Sequence, residues 1–156
     1  MSLDLPAIGP ADCAAHVHIA AHHWRAPQFE SFTPGLGVLC RRAHDPALLG
    51  GVSLLRNSRN MPALYAFAGY QPLQIGSTVR VGAIAGLRTR AVFRVTNNAN
   101  WTWNPATFDH NDVAPFGAAV ASWRWRPGSE AHLMVMPAIK NVTPATAGVS
   151  VSWAWK

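Results

Sequence analysis

A chain of 156 residues is long enough for one domain with a real core. Charged residues make up only 13% and hydrophobic ones 49%, with just two Lys and two Glu, so an all-helical fold with solvated faces is not expected. The net charge of +6 is carried by Arg in eleven of thirteen cations, but the densest basic cluster is the pair Arg41-Arg42, and no nucleic-acid partner is expected.

Eight strand candidates follow one another along the chain: Ala15–Trp24, Leu36–Arg42, Gly51–Asn57, Ala63–Tyr70, Thr78–Arg90, Phe116–Trp125, His132–Ala138 and Gly148–Trp155. Each alternates side chains with a period of two, and no stretch carries a helical stripe over three turns. Pro34-Gly35, Pro46, Pro62, Pro72, Pro105, Pro127-Gly128 and Pro144 punctuate the gaps. The organisation expected is an N-terminal extension, 1–14, and a single domain, 15–156. Sequential strands with short links give an all-β, eight-stranded antiparallel up-and-down barrel. A sandwich is the other arrangement such strands allow.

The links alternate in length. Strands two to three, four to five and six to seven are joined briefly, while the link 91–115 is very long. Short turns at one end and long loops at the other are the habit of outer-membrane barrels. The fifth strand sets Val79, Val81, Ala83, Ala85 and Leu87 against Arg80, Gly82, Ile84, Gly86 and Arg88. In the eighth, Val149, Val151, Trp153 and Trp155 oppose Ser150 and Ser152. A membrane barrel turns the apolar faces outwards, with Trp123, Trp125, Trp153 and Trp155 as an aromatic girdle at the short-turn rim. A soluble barrel fills its core with the same residues. In it Arg80, Arg88 and Arg124 point inwards and suit an anionic small molecule such as a nucleotide.

No segment reaches the roughly 18–20 apolar residues of a membrane helix. Met1–Pro10 is acidic and broken by Pro6 and Pro10, without the basic start and apolar run of a signal peptide. A cytoplasmic location therefore stands beside an outer-membrane one. Cys13 and Cys40 match no zinc template, and neither a metal nor another cofactor is expected. A simple hairpin register sets Cys40 nearer Ile19 than Cys13, so two free buried thiols are expected rather than a disulfide.

In the barrel, His22, His23 and Trp24 lie at the long-loop rim, with His16 and His18 below them. Asn57 and Ser58 reach the same rim from the third strand, and Arg88 and Arg90 from the fifth. Histidine, hydroxyl and amide at one mouth can form an acyl-transfer site, in which His takes the proton of Ser and a third group orients the imidazole. Asn57-Ser58 is equally ordinary turn chemistry. The cations Arg56, Arg59, Arg88 and Arg90 are the candidate substrate-binding residues, suited to phosphate.

His18, then Thr33-Pro34-Gly35-Leu36-Gly37, then Arg56-Asn57-Ser58, then the aromatic run Tyr65–Tyr70 follow a recurring order. That order resembles the small outer-membrane barrels of bacteria and phages related to the lipid A palmitoyltransferase. The final strand, Val151–Trp155, resembles that family's aromatic close. The resemblance implies a catalytic His at His18, with His16 its competitor, and a catalytic Ser at Ser58. The family's Asp falls on Asn57, an amide that cannot stabilise an imidazolium as a carboxylate does. The activity implied is acyl transfer between lipids, with lipid A or phospholipid as substrate, lipid or detergent around the barrel, and a monomer. A non-catalytic surface barrel, changing the cell surface after phage infection, is the second expectation. The soluble barrel with an anionic ligand is the third.

Overall fold

A computed structural model describes residues 11–24, 31–56, 62–89, 113–137 and 145–154 of the chain. Eight antiparallel strands run in sequence order: β1 (Ala11–His23), β2 (Phe32–Arg42), β3 (Asp45–Arg56), β4 (Pro62–Ile75), β5 (Val79–Thr89), β6 (Val113–Arg126), β7 (Ser129–Met136) and β8 (Thr146–Trp153). Each pairs with its neighbours in the chain, and β8 pairs with β1 to close the barrel. The eight-stranded up-and-down barrel read from the alternation is therefore the fold.

The turns 43–44, 76–78 and 127–128 share one end, and the links 24–31, 57–61, 90–112 and 137–145 join strands at the other. Gly76 and Gly128 take positive φ at 60° and 76°, which tight hairpin turns require and glycine supplies without a Cβ clash.

The barrel has apolar side chains outside and many polar ones inside. Leu36, Val52, Leu54, Leu64, Leu87 and Leu133 are exposed on the outer wall. In β8 Val149 and Trp153 are exposed while Ser150 and Ser152 are buried. In β5 Ala83, Ala85 and Leu87 face out while Ile84 is buried. The soluble arrangement, with these faces turned inward, is not the one found. Arg80, Arg88 and Arg124 do take the inner side, because they share strands with the outward apolar residues. Tyr70, Trp123, Trp125 and Trp153 are exposed near the short-turn end, and Trp155 lies outside the described residues.

One part of the inner wall is apolar. Leu39, Leu49, Ile84, Ala118 and Val120 form a buried cluster, with Phe67, Phe116, Met134 and Met136 packed against it. The part formed by β7, β8 and β1 instead carries His132, Ser150, Ser152, His16 and His18, all buried.

Two irregularities decide what faces inward. Between Tyr70 and Leu73 the register of β4 on β5 shifts, so Gln71 and Pro72 together oppose Gly82. Such a bulge re-aims side chains and accommodates a proline that cannot donate to the ladder. Here it follows Gln71, which alternation along β4 already turns inward to complete burial, and it sets Leu73 and Ile75 on the outer side. A second shift between His18 and Ala20 moves β1 out of strict alternation, so Ala21 is buried and His22 exposed.

The cysteines correct the sequence expectation. Cys13 and Cys40 are direct register partners with Cα atoms 4.0 Å apart, and they form a disulfide. β2 begins at Phe32, with Pro34 inside it, and β1 begins at Ala11. The hairpin therefore closes earlier than a strand starting at Leu36 allows, and Cys40 slides from Ile19 to Cys13.

Candidate functional site

Both candidate bases lie on the inner wall of β1, where period-two alternation places them one above the other. His18 Nδ1–H donates to the Thr33 carbonyl at 2.7 Å and also lies 3.2 Å from Thr33 Oγ1. A carbonyl only accepts, so Nδ1 carries the proton and Nε2 of the neutral ring keeps a lone pair. That Nε2 lies over Gly148 of β8: a Cβ there would sit 3.2 Å from it. Thr33 thus holds the imidazole in the tautomer a general base requires, the orienting role that sequence reasoning gave to Asn57.

His16 is tied differently. Its register partner on β2 is Gly37, and Gly37 in turn faces Ser53 on β3. His16 Nδ1 and Ser53 Oγ are hydrogen-bonded at 3.0 Å across that glycine. The His16 ring also meets the edges of Phe67 and His132, with centroids 6.4 and 5.7 Å away. His132 is held at both nitrogens, Nδ1 2.9 Å from Ser122 Oγ and Nε2 2.8 Å from Ser152 Oγ.

Towards the short-turn end the lumen is crossed by a charged network. Arg41 donates to Glu130 Oε2 from Nε at 3.0 Å and from a terminal nitrogen at 2.7 Å. It also donates to the Pro46 carbonyl and to Gln71 Oε1, each at 2.8 Å. Arg124 holds the other oxygen, Glu130 Oε1, at 3.2 and 2.9 Å. Gln71 Nε2 donates to Ser122 Oγ at 2.9 Å, which joins this network to His132. Nearly every lone pair and proton of the Arg41–Glu130 pair is used, which is what a buried ion pair needs.

Of the residues singled out from sequence, His16 and His18 stand on the lumen wall. Arg56 and Arg88 stand half-buried at the long-loop ends of β3 and β5. Arg88 Nε is buried without a hydrogen-bond partner. Asn57, Ser58, Arg59 and Arg90 lie outside the described residues. Sequence reasoning missed Thr33, Ser53, Gln71, Glu130 and His132. Thr33 acts through its backbone, which leaves no side-chain signature. Glu130 did leave one, as one of only two Glu in the chain, two positions before a histidine on the same strand face. Among the described residues no three His, Cys, Asp or Glu are grouped to hold a metal ion. No helix among them is long and apolar enough to cross a membrane, which says nothing of crossing by strands.

No protein-family model and no curated protein matches the chain. Solved structures do. A de novo designed transmembrane β-barrel superposes with a TM-score of 0.59 at 14% identity, over 94% of this chain and 97% of the other. The N-terminal β-barrel domain of Pseudomonas aeruginosa OprF superposes with a TM-score of 0.50 at 10% identity, over 92% of this chain and 98% of that one. At these identities the likeness is one of fold.

Proposed function

We propose that this protein spans a lipid bilayer as an outer-membrane-type β-barrel and that its lumen carries an acyl-transfer site with His18 as the base. The observation that supports the membrane reading is the reversed polarity of the wall. Leu36 at 71% exposure and Leu54 at 57% stand outside while Gln71 and Ser150 are at 0% inside. A soluble monomer rarely exposes a contiguous apolar patch beyond a few hundred Å². Strands of 8 to 14 residues suit the roughly 9–11 residues that a tilted strand needs to cross a bilayer. The Cys13–Cys40 disulfide suits an oxidising compartment.

The acyl-transfer reading rests on the bare Nε2 of His18. A base so oriented accepts the proton of an attacking hydroxyl. The Thr33 carbonyl orients the ring but carries no full charge, so it supports the imidazolium less than a carboxylate would, and slow turnover is expected. Phospholipid is the donor and lipid A the acceptor in this reading. The test is transfer of a labelled acyl chain between them in vesicles. His18→Ala should abolish transfer, and His16→Ala should reduce it less. A folded wild-type barrel that transfers nothing would leave a non-catalytic surface barrel as its function.

A further inference from the structure

Two polar atoms on adjoining strands of the inner wall carry no hydrogen bond and border the same place. One is His18 Nε2, whose lone pair is left over once Nδ1–H has gone to Thr33 and which meets no donor among the described residues. The other is Ser150 Oγ, fully buried and without a partner. Ser150 is the direct register partner of His18. Cβ atoms of directly opposed residues lie about 4.5–5.5 Å apart, so one small group can touch both side chains. Its other register partner, His132, has both nitrogens occupied by Ser122 and Ser152 and makes no claim on it. Beside the pair, Gly148 bares the wall, bordered by His18 Nε2 and, 3.7 Å from the point where its Cβ would stand, the methyl of Met134.

We infer that His18 Nε2 and Ser150 Oγ together bind a hydroxyl group, that of water or of an alcohol. A hydroxyl answers both atoms at once: its proton goes to Nε2 and its oxygen accepts from Ser150 O–H. A carbonyl has no proton for Nε2, and a carboxylate would set its charge against that lone pair. The inference rests on the reading of His18 as base and adds Ser150 as its positioning residue. In acyl transfer, Nε2 takes the hydroxyl proton as the oxygen bonds the ester carbonyl carbon. The proton returns to the departing oxygen as the ester C–O bond breaks. Atoms and protons balance without an acyl-enzyme. With water in the same place, the step yields a free fatty acid and the alcohol.

The test reads binding rather than turnover. The full chain, labelled with ¹⁵N-histidine and folded in micelles, is compared by NMR with Ser150→Ala and Gly148→Ala. Gly148→Ala puts a methyl where the hydroxyl would lie. In the wild type the His18 Nε2 resonance should be that of a hydrogen-bonded acceptor, with a cross-peak from the ring proton to a long-lived water. Both variants should shift Nε2 to the position of a free lone pair and lose that cross-peak, with His132 unmoved. Should Gly148→Ala not fold, Ser150→Cys takes its place. An Nε2 resonance that is already unbonded in the wild type, or unchanged in the folded variants, overturns the inference. Adding n-butanol separates the sources: a cross-peak to its methylene protons assigns the site to alcohols, and a persistent water cross-peak assigns it to water. Absence of acyl transfer would sink the catalytic reading and leave these resonances where they are.

Discussion

His16 and Ser53 are hydrogen-bonded at 3.0 Å although they stand on β1 and β3, with β2 between them. The residue beneath the bond is Gly37, the register partner of both. A Cβ there would collide with Ser53 Oγ and with the Val52 carbonyl. The glycine is what lets a histidine reach past its neighbouring strand. Gly37→Ala should therefore break the His16–Ser53 bond and overpack the wall, at a cost of about 1–3 kcal/mol. Ser53→Ala, which leaves a buried ring nitrogen unpaired, should cost about 1–3 kcal/mol. Urea unfolding of the barrel in micelles measures both. Equal midpoints for Gly37→Ala and wild type would show that the contact is dispensable.

Glu130 should be the least replaceable polar residue of the wall. Glu130→Ala leaves Arg41 and part of Arg124 without an anion, and removing one partner of a buried pair costs about 3–5 kcal/mol. Arg41 is buried while Arg124 is partly exposed, so Arg41→Ala should destabilise more than Arg124→Ala. The order of the urea midpoints tests this, and Arg124→Ala falling below Arg41→Ala would contradict it.

The outer wall makes a depth-dependent prediction. Val52 is 50% exposed in the middle of β3, and Ile75 is 56% exposed at the short-turn end of β4. In vesicles Val52→Arg should cost about 2–4 kcal/mol, the figure for a cation near the bilayer midplane, whereas Ile75→Arg should cost about 0–1. The readout is the fraction folded, from the heat-dependent shift of barrels on SDS gels. If both variants fold as wild type, the outer wall does not face lipid.

The disulfide between Cys13 and Cys40 spans a sequence separation of 27 residues. Removing a bridge over such a span typically costs about 2–4 kcal/mol. Cys13→Ser/Cys40→Ser should lower the unfolding midpoint accordingly, and mass spectrometry of the native chain should find no alkylatable thiol. Two alkylated cysteines in unreduced protein would restore the free thiols that the hairpin register suggested.

The barrel was legible because its signal is local: Val149 and Ser150 already differ in polarity, and a period of two sorts them onto opposite faces. Register was not legible, because it depends on where each hairpin closes. β2 begins at Phe32 with Pro34 inside it, and β4 runs through Pro72 at a bulge, so prolines that read as strand ends are strand interiors. The same difference of a few residues separated free thiols from a bridge. At the site, His16 and His18 could be found from residue type and face. Thr33 could not, since its contribution to His18 is a carbonyl that every residue possesses. Gln71 was hidden for another reason: it lies one residue past Tyr70, where the strand read from sequence ends, although β4 runs on to Ile75.

The network of Arg41, Pro46, Gln71, Ser122, Arg124, Glu130, His132 and Ser152 draws on β2, β3, β4, β6, β7 and β8. It gives the barrel a floor. A tube open at both ends would let solutes cross; a vessel with a floor admits and releases its contents through one mouth. Reconstituted in planar bilayers, the wild type should pass no steady ionic current, and Glu130→Ala should pass measurable current. Any ligand of the lumen is then expected to exchange with one side only, that of the long loops. At the opposite end of the barrel a carboxylate is locked between two guanidinium groups.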